Sequence, residues 1–100
     1  MIAILDYDAG NVRSVEKALQ YLGHDTCLTR NIEEIRKADK VILPGVGSFG
    51  DAMEHLKRYE LDKVIREVVS DKKPFLGICL GLQLLLTEAM KAAAWKGWEF

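Results

Sequence analysis

Four short apolar runs, each followed by a stretch with helical periodicity, constrain the fold of this chain more than any other feature. Residues 2–5 end at Asp6 and read as a buried strand. Asp8-Ala9-Gly10-Asn11 is a turn, with Asn11 as the N-cap of a helix. Val12, Val15, Leu19 and Leu22 fall on one face of that helix, and Gly23 stops it. Residues 25–29 read as a weaker second strand, 32–37 as a short charged helix, and 41–43 as a third strand cut by Pro44-Gly45. Residues 46–49 form a glycine-bearing loop, and Asp51 begins another helical stretch. Leu61, Val64, Ile65, Val68 and Val69 keep the i, i+3, i+4, i+7, i+8 spacing of an amphipathic helix, which closes at Asp71-Lys72-Lys73-Pro74. Residues 75–78 make a fourth strand, and a last helix runs from Leu80 with Leu82, Leu85, Leu86 and Ala89 along its inner side.

This alternation implies an α/β, flavodoxin-like open parallel sheet with helices on both faces. Right-handed crossovers leave few topologies, and the expected strand order is 2-1-3-4. Ligands bind such sheets beyond the carboxyl ends of the strands. Three loops should therefore meet there: the turn after Asp6, the loop over 44–47, and the segment at Cys79. One hundred residues without repeat or linker suit a single domain. A net charge of -1 gives no bulk attraction to nucleic acid or to an anionic membrane, and no run is long enough to span a bilayer. Two cysteines and a start without a basic flank lead us to expect a reducing cytoplasm and no disulfide framework. No Cys/His spacing suits zinc, and no cofactor is expected.

Phe75-Leu76-Gly77-Ile78-Cys79-Leu80-Gly81-Leu82-Gln83 carries the chemistry. It matches a nucleophile elbow with cysteine in the serine position, Gly-x-Cys-x-Gly. The tight strand-to-helix turn pushes the side chain into the open, glycines on either side let neighbouring backbone pass, and the helix start favours an anionic sulfur. A cysteine after a strand is otherwise a small core residue. The two glycines argue against that for Cys79, whereas Cys27, inside a strand with no elbow, is read as core.

Pro44-Gly45-Val46-Gly47 alone is a turn, but beside an elbow it becomes a candidate oxyanion site. A tetrahedral intermediate needs fixed N–H donors, each contributing about 3 kcal/mol. One should come from Leu80, the residue after the nucleophile, and the other from Val46 or Gly47. Gln83, four residues past Cys79, is either a solvent-facing polar residue or a grip for a polar substrate end. Asp6-Tyr7-Asp8 reads as a solvated turn rather than a metal site. A cysteine nucleophile normally works with a histidine oriented by a third group. His24 should lie at the wrong end of the sheet and His55 on a helix surface, so neither is read as that base.

Together these stretches resemble the class I (triad) glutamine amidotransferases, and within them the glutaminase subunits of imidazole glycerol phosphate synthases. Residues 2–11 with Arg13-Ser14-Val15, residues 38–53 with Pro44-Gly45-Val46-Gly47, and residues 73–85 carry the resemblance, which covers about the first 88 residues. Related amidotransferases often carry Pro-Gly-Gly in the oxyanion loop. The resemblance implies that Cys79 attacks the carboxamide of glutamine and that Gln83 and Gly47 help hold it. It further implies that the ammonia passes to a (β/α)8-barrel cyclase partner in histidine biosynthesis, and that Asn11 lies at the cyclase interface. Where the family usually has Gly, this chain has Asp8, a residue that can visit left-handed geometry. The family is about twice as long, and its catalytic His and Glu lie in its second half. Residues 89–100 read as an alanine-rich helical tail with an aromatic end, in which Gly97-Trp98 resembles a later family pair. The expectation is a nucleophile-bearing half of a glutaminase, inactive alone.

Two other readings compete. One is a flavodoxin-like folding or assembly module, natural or engineered, that does no catalysis. It would self-associate through an exposed sheet edge or apolar face, with Trp95, Trp98 and Phe100 covering part of the gap. The other is a thiol-dependent redox or sensor protein on the same fold.

Overall fold

The chain runs β1 (Ile2–Leu5), α1 (Val12–Tyr21), β2 (Thr26–Thr29), α2 (Ile32–Lys37), β3 (Lys40–Leu43), α3 (Phe49–Arg58), α4 (Leu61–Ser70), β4 (Phe75–Gly77) and α5 (Leu80–Trp95). This computed structural model describes residues 1–10, 12–45 and 47–95. The expectations placed on Asn11, on Val46 and on Gly97, Trp98 and Phe100 lie outside the described residues, as do the side chains of Ala89 and of residues 92–95.

All four strands are parallel, in the order β2-β1-β3-β4. The winding follows from handedness. The step from β1 to β2 goes one way across the sheet, and the steps from β2 to β3 and β3 to β4 go the other. Right-handed crossovers then put α1 on one face and α2, α3 and α4 on the opposite face. The side chains agree. Ala3, Leu5, Val41 and Leu43 join Ile35, Leu56, Leu61, Ile65 and Leu84 in the main core. Ile2, Ile4 and Ile42 point the other way, against Val12, Val15 and Leu19 of α1. Helices do cover both faces, but unevenly. In register, Leu76 lies beside Ile42, on the α1 face, and α1 does not reach over β4, so Leu76 is 55% exposed.

The helix ends are set by backbone chemistry. Gly23 (φ +87°) closes α1: its N–H bonds the Gln20 carbonyl, and the His24 N–H bonds the Leu19 carbonyl, the crossed pair of a Schellman motif. Asn31 caps α2, and Lys73 from the end of α4 reaches the Ile35 and Arg36 carbonyls at its far end. The loop expected over 46–49 is shorter than read, because Ser48 accepts the Asp51 N–H and starts α3 at Phe49.

The inner face of α5 is rotated from the expected one. Gly81, Leu84 and Glu88 are buried and Leu85 is half-buried, whereas Leu82 and Leu86 are exposed. Gly81 fixes this phase, since it lies against the Leu43 carbonyl and leaves no room for a side chain. Residues three and seven further on must then face the core. Leucines stand on both sides of the helix, so hydrophobic spacing alone does not choose. The rotation buries the Glu88 carboxylate, with Lys91 Nζ at 3.3 Å and Arg66 Nε at 3.6 Å.

Urea denaturation of two alanine variants checks this phase. Leu84→Ala should cost about 2–5 kcal/mol as a core truncation, and Leu82→Ala about 0.5 kcal/mol or less as a surface one. The reverse order, with Leu82→Ala the costlier, would mean that α5 is turned as its leucine spacing alone suggests.

Candidate active site

Cys79 sits where β4 becomes α5, exposed, with φ +53°. A non-glycine residue in the left-handed region is held there by its surroundings. Here the holding is done by backbone. The Ile78 N–H donates to the Leu43 carbonyl at 3.0 Å and the Leu80 N–H to the Gly45 carbonyl at 2.9 Å, so the elbow is sewn onto the end of β3 on both sides of the cysteine. The two flanking glycines are spatial necessities. A Cβ on Gly77 would come within 2.7 Å of the Gly81 carbonyl oxygen and the Leu82 Cα, and one on Gly81 would overlap the Leu43 carbonyl.

The other site candidates lie around this turn. Gly47 (φ +104°) is exposed in the loop between β3 and α3, directly before the Ser48 cap. Gln83 is exposed one helical turn past Cys79. Val46 and Asn11 are outside the described residues. Leu80 departs from the expected role in one respect: its N–H is not free but bonded to Gly45. That bond must be exchanged before this amide can meet a substrate oxygen.

Neither histidine bonds the thiol. His24 is exposed before β2, at the amino end of the sheet. His55 is not the surface residue that its helical neighbours suggested; it is part-buried, and its Nδ1 lies 3.2 Å from Asp8 Oδ2. Asp8, in the left-handed region at φ +69°, gathers a cluster at the carboxyl end of β1. It accepts from the Tyr59 hydroxyl at 2.6 Å and from Arg30 at 2.9 Å, and Arg30 also pairs with Asp6 and stacks over the Tyr59 ring. The bonds from Tyr59 and Arg30, with a smaller share from His55, pull the Asp8 pKa down to about 2. The Asp6-Tyr7-Asp8 turn is thus tied to Arg30 and to α3, more than the solvated turn expected of it. Among the described residues no three His, Cys, Asp or Glu side chains group as a metal site would require. Nor is any helix of the described residues long and apolar enough to cross a membrane.

A cleft of about 170 Å³ runs between Tyr7, Asp8, Ala9, Gly10, Ser48, Asp51 and His55. A larger groove of about 850 Å³, between Ile32 and Lys91, contains none of the site residues. Cys27 is not the core residue expected of it: it lies half-buried at the edge of the sheet, outside both core clusters. It donates to Glu34, and the Glu34 carboxylate, with burial, pushes its pKa up. Sequence reasoning missed Tyr7, Arg30 and Tyr59. Tyr7 was findable, because Ala3, Leu5 and Tyr7 continue the period-2 alternation of β1 inward past Asp6.

An exposed cysteine on a strand-to-helix elbow, bonded on both sides to the end of β3 in a parallel sheet, has the form of a nucleophile elbow. The chain belongs to the class-I glutamine amidotransferase family, whose model matches residues 3–93. It is 47% identical over 97 residues to the imidazole glycerol phosphate synthase subunit HisH of Oceanobacillus iheyensis, covering 97% of this chain and 48% of that protein. Identity to the same subunit is 48% over 97 residues in Chlorobaculum tepidum and 52% over 99 residues in Bacillus cereus, covering 97% of this chain and 48% and 47% of those proteins. These alignments run further than the first 88 residues, and the chain spans about half the length of the curated relatives it matches. A crystal structure of a glutamine amidotransferase shares the fold, with a TM-score of 0.68 at 23% identity over 80% of this chain and 42% of that one.

The Asp8 cluster has a pH signature. Its carboxyl titrates near 3.8 when unperturbed and at about 2 in the fold. The stability it contributes is therefore complete by about pH 5, above the unfolded value, and is lost as pH falls toward 2. Asp8→Asn keeps the turn-tolerant shape but not the charge. Measured by urea melts, the gap between wild type and variant should close progressively from pH 5 to pH 2. A constant gap would show that the carboxylate contributes nothing through its charge.

Proposed function

We propose that this chain is the nucleophile-bearing half of a glutamine-hydrolysing subunit of imidazole glycerol phosphate synthase, acting in the cytoplasm. The observation that carries this reading is the exposed Cys79 on its elbow, in a chain 44–52% identical to HisH subunits. Cys79 Sγ attacks the side-chain carbonyl carbon of glutamine, forming a C–S bond and placing negative charge on the oxygen. Backbone N–H groups of Leu80 and of Val46 or Gly47 receive that oxygen, once Gly45 releases the Leu80 amide. The proton given up by the thiol is delivered by the general base to the amide nitrogen as the C–N bond breaks, so that ammonia leaves, and water then cleaves the thioester to glutamate and regenerates the thiol. Gln83 and Gly47 hold the glutamine, and Asn11 faces a (β/α)8-barrel cyclase that takes the ammonia without its meeting bulk water. His55 is committed to Asp8, so the general base comes from a histidine and glutamate outside these hundred residues.

A second reading, self-association of a non-catalytic module, draws on the apolar groups left open: Leu76 on β4, and Leu82, Leu86 and Met90 on α5. Sedimentation decides it, since a monomer at high concentration removes it.

Treatment with 6-diazo-5-oxo-L-norleucine, an electrophile shaped like glutamine, tests the glutaminase reading. Mass spectrometry should find Cys79 alkylated and Cys27 untouched, with the D-enantiomer much slower. Equal, sluggish labelling of both cysteines would sink the reading. These hundred residues alone should hydrolyse glutamine at background level, since loss of a triad partner costs several orders of magnitude. A turnover on the order of 10 per second would overturn that expectation.

A further inference from the structure

One buried polar group beside the elbow has no part in the chemistry above. Tyr7 is 2% exposed, yet its ring carries a hydroxyl into the core, and a buried hydroxyl is costly without a partner. The partner is the carbonyl of Pro44, to which it donates. Gly45 is wedged behind that contact. A Cβ there would strike the Tyr7 hydroxyl and approach the Gly81 nitrogen to 3.1 Å and the Leu80 Cβ to 3.4 Å. Because a peptide unit is planar, fixing the Pro44 carbonyl fixes the orientation of the Gly45 N–H as well. The next group along the chain is the Gly45 carbonyl, which accepts the Leu80 N–H at 2.9 Å.

We infer that Tyr7 is a positioning residue: its hydroxyl fixes the Pro44–Gly45 peptide and so sets how tightly the Gly45 carbonyl holds the Leu80 amide beside Cys79. A phenylalanine would fill the same space without that anchor. Burial pushes the Tyr7 pKa up to about 12, so the hydroxyl keeps its proton to give across the neutral range. The contacts stand by themselves; only their meaning for catalysis, as control of an oxyanion donor, rests on the glutaminase reading.

Amide hydrogen exchange by NMR on Tyr7→Phe reads the anchor directly. The Leu80 amide should exchange about tenfold faster or more. The Val41 amide, bonded to Pro74, and the Ile78 amide, bonded to Leu43, serve as references in the same sheet and should stay within about threefold of wild type. A purely structural role for Tyr7 would move all three together, and no role would move none; either result overturns the inference. If Tyr7→Phe does not fold, 3-fluorotyrosine placed at position 7, a stronger donor of nearly the same shape, decides instead. Slower exchange at Leu80 alone supports the anchor, and unchanged or generally altered exchange removes it. The fate of the glutaminase reading is read separately, from enantiomer-selective labelling of Cys79 by 6-diazo-5-oxo-norleucine in wild type. Non-selective labelling beside a Leu80-specific exchange effect would leave the anchor standing and the reading fallen.

Discussion

The approach of the Gly81 backbone to the Leu43 carbonyl is the contact on which the rest of the site depends. It brings α5 down onto the end of β3 with no side chain between them. From it follow the two hydrogen bonds that bracket Cys79, the left-handed conformation of the cysteine, and the rotational phase of α5. A methyl group at position 81 could be accommodated only by moving one backbone away from the other, and the core on either side is too closely packed to yield without loss. The cysteine is thus presented by the exclusion of atoms from its neighbours more than by any bond of its own.

Much of this was legible in the sequence, for reasons that differ by element. The strand order followed from alternation and handedness, since β1, β3 and β4 are short apolar runs whose breaks at Asp6, Pro44 and Cys79 are unambiguous. The elbow was legible because few other local structures require small residues two positions on each side of a cysteine. The face of α5 was not. Leu82, Leu84, Leu85 and Leu86 offer apolar groups in several directions, and only the tertiary contact at Gly81 selects among them. The Asp8 cluster was hidden for another reason. Its members are separated by 22, 47 and 51 positions along the chain, and no local pattern links them. The engagement of the Leu80 amide was hidden as well, because a backbone donor carries no sequence mark of whether it is already bonded.

The charged groups around the first turn are engaged with one another. Asp6, Asp8, Arg30, Tyr59 and His55 satisfy one another around the first turn, and Glu34 occupies the Cys27 thiol. Ion pairs this exposed contribute little stability individually. Their effect is to orient: the cluster ties the turn after β1 to α3, the helix that begins immediately after the glycine loop. Tyr7 ties the same turn to the loop itself, through Pro44. The loop beside the cysteine is therefore held from its β1 side by two neighbouring residues, one through a core hydrogen bond and one through surface charges.

Exposed apolar groups on β4 and α5 lie away from these contacts. Leu76 opens onto the α1 face beyond the reach of α1, and Leu82, Leu86 and Met90 stand on the outer side of α5. The groups that fix the elbow are on the other side of these elements: Leu43, Gly45, Tyr7 and Gly81 belong to, or abut, the main core, together with Leu84. Covering the open surfaces would add buried area, at roughly 25 cal/mol per Å², without touching a contact that sets the position of Cys79. The face of α5 that fixes the elbow is thus the one packed into the main core, and the open apolar groups stand away from it. The placement of Cys79 is consequently set by backbone contacts between the end of β3 and the start of α5, at the carboxyl ends of the strands, where the cysteine is exposed.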